Sequence, residues 1–392
     1  MTQKAQVRSE IIGLGRSPSP SRRRVAPSWR LVAAVVSIQV LAWSPAIHAG
    51  DPPVETDTEL QAAPEMDEGS PDSSGAKPKK PKPKISGYIQ FYYRTRIERS
   101  GDNITSPDAF RFGRVKIRFT GKAQPGVTYV VEVDPRSPQI SGVMRDCYIQ
   151  WEFVDGQRLR FGQMKTPFGW ENRVSTTDLY TINRTEVSEL FGRGLTLRDI
   201  GVGCFGRIPL GNGFRIEDEI TITNGAGLGA QADDDKRKNV FARLGARKKA
   251  ESATLWLGVS GATGTVNEPS DPETPDEPGL SFDFQRFGVD VGVDTRHAFA
   301  VVEYAYGDEK ANDPEEGGAL AAWYLLVAGK TSFGVGPVVR YDVFDEDITR
   351  WTVGGYYGLP GAALRSIVTY EVSKEAEFDN DDRLLAMLQL LF

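Results

Sequence analysis

Histidine and cysteine are nearly absent, with two of each in 392 residues. His48 falls in a targeting segment, so His297 alone remains as an imidazole base or ligand, which argues against His-centred triads and multi-histidine metal sites. Cys147 and Cys204 fall on strands assigned two apart, roughly 10 Å at about 4.8 Å per strand, beyond the ~7 Å reach of a disulfide. Both read as small apolar wall residues. Beyond residue 84 there is also no apolar run approaching the ~18 residues of a helical membrane span. No cofactor or catalytic metal is implied.

Arg22, Arg23, Arg24 and Arg30 precede an apolar run from Leu31 to Trp43, followed by Ser44, Pro45 and the small-residue site Ile47-His48-Ala49. Residues 1–49 therefore read as a signal peptide cleaved near Ala49, since the run is shorter than the ~20 residues of a spanning anchor. That segment carries seven bases and one acid, so its removal takes the formal net charge from −6 to −12. An acidic mature chain is a poor general nucleic-acid binder. Residues 50–84 are rich in Pro, Ser, Asp and Glu and end Lys77-Pro78-Lys79-Lys80-Pro81-Lys82-Pro83-Lys84. They bury too little apolar surface to order themselves and are expected to form a disordered, solvated periplasmic linker. A specific contact with peptidoglycan is the alternative use.

After residue 84 apolar and polar residues alternate with a period of two. In the first such stretch Ile85, Gly87, Ile89, Phe91 and Tyr93 share one face, while Tyr88, Gln90, Tyr92, Arg94 and Arg96 share the other. The pattern predicts strands near 85–97, 108–121, 127–135, 143–154, 157–166, 198–208, 213–223, 237–249, 252–262, 281–293, 297–306, 319–330, 333–344, 348–358, 363–374 and 382–392. Short turns such as Asp155-Gly156 alternate with long polar connections, the longest at 167–197, 263–279 and 307–318. Residues 85–392 thus read as an all-β, transmembrane antiparallel β-barrel of about 16 strands. A soluble β-sandwich is the competing architecture. The chain end favours the barrel: Leu384, Ala386, Leu388, Leu390 and Phe392 form an apolar file ending on an aromatic, which resembles the signal read by the outer-membrane barrel-assembly machinery. Leu385, Met387 and Leu391 make the opposite face of that strand unusually apolar as well.

The run Arg160-Phe161-Gly162-Gln163-Met164-Lys165-Thr166-Pro167-Phe168-Gly169-Trp170-Glu171, then Arg184 to Glu189, Leu197 to Val202, Arg207 and Thr223-Asn224-Gly225, resembles the phosphate-selective porin O and P family. The specific motifs are confined to about 160–225 of this sequence. The resemblance implies a homotrimeric, sixteen-stranded channel in the bacterial outer membrane, with the long loop after the fifth strand folded inward to narrow the pore. Here that loop is 167–197, too long for a simple connection, and its candidate constriction residues are Arg173, Arg184 and Arg193.

A barrel of this size encloses water, so selectivity must come from inward side chains and a constriction. The inward files carry Arg94 and Arg96, Arg114, Lys116 and Arg118, Arg158 and Arg160, and Arg243 and Arg247. Lys165 has the opposite parity and is included for its place in the family-like run. Arginine suits phosphate and carboxylate because its planar fork stays charged and donates in pairs. The same residues could instead pair with inward Glu132, Asp134, Asp146, Glu152, Glu217 and Glu219 and merely keep the lumen wet. Aromatics including Tyr88, Tyr92, Trp151, Trp256, Trp323, Tyr341, Trp351, Tyr356 and Tyr357 are expected in interfacial girdles, with stacking on solute rings as the alternative.

The expected function is passive diffusion of small hydrophilic solutes, favouring anions such as phosphate; a general or sugar-type porin is the alternative. An enzyme is not expected, because His297 stands apart from the basic files. A structural or adhesin barrel fits the acidic loops but gives no role to an inward loop. A receptor with a plug would need a folded domain that the polar stretch 50–84 is too short to form.

Overall fold

A strand with one apolar face leaves its edges and its other face to be satisfied, and closing the sheet on itself removes every edge. The computed structural model describes residues 82–97, 109–137, 140–193, 197–230, 236–267, 281–311, 318–344, 348–375 and 382–392. The signal peptide and almost all of the linker expected from the sequence lie outside them. The strands are β1 (Lys84–Ile97), β2 (Ala109–Gln124), β3 (Val127–Val133), β4 (Met144–Val154), β5 (Gln157–Lys165), β6 (Arg198–Gly211), β7 (Phe214–Thr223) and β8 (Asn239–Lys249). They continue as β9 (Ala253–Asn267), β10 (Ser281–Thr295), β11 (Ala298–Ala311), β12 (Gly318–Gly329), β13 (Val335–Phe344), β14 (Ile348–Tyr357), β15 (Leu364–Glu375) and β16 (Asp382–Leu391). Each pairs antiparallel with its sequence neighbours, and β1 pairs with β16, giving a closed sixteen-stranded barrel.

All sixteen expected strands are present. The largest differences are at β9 and β11, which run on to Asn267 and Ala311. There the β9–β10–β11 ladder continues past the point where the apolar file fades, because backbone pairing needs no apolar side chain. A four-residue helical turn, Ile140–Val143, and a π-helical segment, Val187–Arg193, interrupt two of the long connections.

The seam is sealed at the short-turn rim. The Gly87 N–H donates to the Phe392 carbonyl at 2.8 Å, and the Phe392 N–H to the Gly87 carbonyl at 3.0 Å. Along the seam Gln90 faces Gln389, and their side chains meet in a 2.7 Å hydrogen bond on the inward face.

The outer face is an apolar band in which Phe91, Ile149, Trp151, Val202, Leu257, Val291, Leu325 and Leu388 are exposed, as a lipid-facing surface requires. Trp323, Tyr341 and Trp351 pack on it across three strands, the first pair T-shaped and the second tilted. Val353, midway along β14 and 49% exposed, has neighbours Val339 and Tyr370 on the same face. Val353→Arg is expected to destabilise the barrel by about 2–4 kcal/mol, read as a lower urea midpoint in lipid vesicles. An unchanged midpoint would place this face away from lipid.

The inner face is not uniformly polar. Ala322, Tyr324, Leu326 and Ala328 of β12 and Leu385 and Met387 of β16 join an apolar cluster inside the ring, together with Phe168, Tyr180, Ile182, Val187 and Phe191 of the β5–β6 connection. This explains the two-sided greasiness of the last strand: its inward residues meet protein, not water.

Candidate functional site

The β5–β6 connection supplies the residues that the inward apolar faces cover. Its path follows from its hydrogen bonds. Gly169 donates from its backbone to the Ser260 hydroxyl on β9 at 3.1 Å, and the Glu171 N–H to the Glu303 carboxylate on β11 at 3.1 Å. The same carboxylate accepts from the Tyr324 hydroxyl at 3.0 Å. The Thr176 hydroxyl meets the Tyr88 hydroxyl on β1 at 2.7 Å. Arg365 on β15 donates to the carbonyls of Thr177 and Leu179, and Gln389 on β16 donates to Thr177 at 3.4 Å. The chain then rises along β13 and β14, where Arg340 reaches Thr181 and Asn183, Asn183 donates to Glu371, and Arg350 pairs with Glu186. It ends against β10, where Arg286 donates to the Phe191 carbonyl. Within the segment, Glu171 accepts from both the Thr185 N–H and its hydroxyl at 2.8 Å, joining the two limbs.

This segment therefore lies against the walls β9–β16 and β1, and the basic files of β2, β5 and β8 face it from the remaining side. Most of those bases are paired. Lys116 meets Glu132 at 2.8 Å; Arg118 meets Glu132 at 3.1 Å and Asp146 at 3.3 Å. Arg243 is held by Asp290 and only 3% exposed, so it braces the wall and is withdrawn from solvent. Arg114 donates to Gln90 and to the Tyr92 hydroxyl.

The two bases on the β5 file likewise form no ion pair with an acid among the described residues. Arg160 donates Nε to Gln150 at 2.9 Å and lies between the rings of Tyr148 and Phe205, 4.7 and 4.2 Å from their centroids. Arg158, two positions earlier on the same buried file, has no hydrogen-bond or ion-pair partner there. Arg94 is half-buried on the inward parity and Arg247 lines a cavity described below. The side chains of Arg96 and Arg193 lie outside the described residues.

Lys165 departs from its parity. Gly162, at φ +129°, interrupts the alternation of β5, after which Gln163 and Met164 are both buried. Lys165 then turns to the interior and donates Nζ to the Asn172 carbonyl at 3.1 Å. On the segment itself, Arg173 forms a two-pronged pair with Glu219 at 2.5 and 2.9 Å and approaches Glu217 at 3.6 Å. Arg184 spends its guanidinium on the carbonyls of Glu171 and Val174, a brace internal to the segment.

The aromatics divide. Trp151, Trp323, Tyr341, Trp351 and Tyr357 stand outside as expected, whereas Tyr88, Tyr92, Trp256 and Tyr356 point inward. Their amphipathic rings suit either face, so alternation alone does not assign them. Sequence reasoning also passed over Arg198, which pairs with Asp146 at 2.6 Å, and Arg286, Arg340, Arg350 and Arg365. Arg198 meets its partner on β4, whereas the other four each also reach the inner segment, far away in the chain, and no local pattern announces those contacts.

Among the described residues, two cavities beside the segment bear on its chemistry. The smaller, about 60 Å³, is lined by Arg118, Arg160, Lys165 and Arg173 against the acids Asp146 and Glu219. The larger, about 250 Å³, lies between the segment and the β7–β9 wall and is bordered by Pro360 of a short turn. Arg173 borders both.

Residues 85–267 match the family of phosphate-selective porins O and P. No curated protein sequence matches the chain. Its fold is similar to the loop-L8 deletion form of OmpT, an outer membrane protein of Vibrio cholerae, with a TM-score of 0.54 at 12% identity over 79% of this chain and 99% of that one. It is also similar to the outer membrane channel DcaP of Acinetobacter baumannii, with a TM-score of 0.50 at 13% identity over 79% and 97% of the two chains. At these identities the likeness concerns the fold.

Proposed function

From the match of residues 85–267 to the phosphate-selective porin O and P family, we propose that the chain is a member of it and a passive outer-membrane channel favouring small anions such as phosphate. The observation that carries the anion preference is the base excess at the smaller cavity, four bases against two acids. Paired charges still contribute to a local field, and an unbalanced set lowers the energy of an anion without fixing it at one point. Arg158 and Arg160 supply donors that no carboxylate occupies. The β5–β6 segment acts as the constriction, confining solutes to the side bounded by β2–β8.

Residues 1–49 direct export, residues 50–84 form a periplasmic tether, and the barrel works as a homotrimer inserted by the assembly machinery through its final strand and Phe392. Lipid outside and small hydrophilic solutes inside are its partners.

The test is a planar bilayer containing the purified mature chain. Across a KCl gradient the reversal potential is expected to carry the sign of chloride permeation, and added phosphate is expected to lower the chloride current. Cation selectivity would remove the anion preference and leave a general porin whose arginines are spent on pairs. Absence of conductance would remove the channel.

A further inference from the structure

The larger cavity differs in chemistry from the anion-favouring passage beside it. Its floor is aromatic: Trp170 of the inner segment stacks on Trp256 of β9 with centroids 5.9 Å apart and planes at 20°, and Phe299 of β11 tilts against both at 5.5 and 5.7 Å. Both indoles keep part of their surface open while lining the cavity. The wall is built to receive the Trp256 ring. A Cβ at Gly292, its partner on β10, would lie 2.0 Å from the indole Cζ2, so only glycine lets the ring lie flat against the barrel.

The polar groups around this floor are balanced. Arg173, Arg243 and Arg247 line the cavity with Asp178, Glu217 and Asp294. Arg173 already has Glu219 and Arg243 already has Asp290. A carboxylate or phosphate entering here would meet no excess of positive charge, and its desolvation would go unrepaid. A hydroxyl both donates and accepts, so a ring bearing several of them can engage guanidinium and carboxylate together while its C–H face covers the aromatic floor. The volume, below the ~300 Å³ at which sites for drug-sized ligands begin, suits one ring.

We infer that this cavity is a binding subsite for an uncharged, polyhydroxylated ring, that is, a monosaccharide or a sugar unit, on the short-turn side of the constriction. The inference rests on the chain being a channel but not on its anion preference. The subsite would slow sugars by transient stacking while anions pass along the neighbouring basic wall.

The test is current recording from the full mature channel while glucose is titrated, with sorbitol, an open-chain polyol, as the control for viscosity. Saturable reduction by glucose and none beyond viscosity by sorbitol is expected. The half-blocking concentration is expected to rise about tenfold in Trp170→Ala and in Trp256→Ala, a stacking contribution of ordinary size. Gly292→Leu, which displaces the indole without removing it, is expected to act in the same direction. The phosphate effect should persist in all three variants, which separates this subsite from the basic passage. Equal effects of glucose and sorbitol, or block by benzoate in place of glucose, would overturn the inference. Should the protein carry no current, quenching of its tryptophan fluorescence by glucose but not sorbitol in detergent reads the same subsite directly, and no quenching refutes it.

Discussion

In the channel carrying Arg158→Glu together with Arg160→Glu, the reversal potential across a KCl gradient is expected to change sign. Neither guanidinium group forms an ion pair with an acid among the described residues, and both lie on the inward file of β5. Reversing both changes the β5 wall by four charge units, and Arg160 borders the cavity that Asp146 and Glu219 already line. If each permeant ion gains or loses about 1.4 kcal/mol at this point, its permeability ratio shifts about tenfold. The phosphate effect should vanish at the same time. Unchanged selectivity with a folded barrel would mean that the ion path avoids β5 altogether. Arg243→Glu is the informative contrast: it should damage the barrel by leaving Asp290 buried without its partner, a loss of roughly 3–5 kcal/mol, with no selectivity of its own to lose.

The second large effect is expected from the inner segment. Arg365 is fully buried and spends its guanidinium on carbonyls, those of Thr177, Leu179 and Gly358. Asn183 ties the rising limb to Glu371 at 3.0 Å. Replacing the two as Arg365→Met with Asn183→Ala takes donors from three carbonyls and from the Glu371 carboxylate inside the barrel, at about 1–3 kcal/mol for each buried group. The segment is then expected to leave the β13–β16 wall. Single-channel conductance should rise severalfold, with noisier open levels and weaker anion selectivity, while the folded barrel still resists SDS until heated. Unchanged conductance in such a folded variant would show that the segment does not limit the current.

The strands were legible because each solves a local problem that leaves a local trace. Ile85 to Tyr93 and Val115 to Phe119 write their period of two directly into the sequence, and Arg158 and Arg160 share a parity along which both are buried. What the sequence concealed depends on chain segments that meet only after closure. Arg365 and Thr177 are 188 positions apart, and Asn183 and Glu371 likewise. Neither the greasy inward side of β12 nor that of β16 is intelligible until Tyr180, Ile182 and Phe191 are placed against them. Lys165 shows the limit of parity itself, since one glycine at φ +129° was enough to redirect the strand end. The choice between a basic track and a lumen of neutralised pairs resolved residue by residue, because pairing depends on which acid the curvature of the wall brings within reach.

The position of Thr176 and Thr177 has a consequence for how the barrel comes into being. Gln90 of β1 donates to the Thr176 carbonyl, and Gln389 of β16 to that of Thr177, so one short stretch from the middle of the chain holds both margins of the last gap to close. These are pairings between strands nearly a whole chain apart, and closing such a span costs the most entropy. A clasp that grips the first and last strands lowers that cost by delivering them together. Seating the constriction and sealing the seam would then help one another, and a chain with a weakened clasp would close its barrel more slowly.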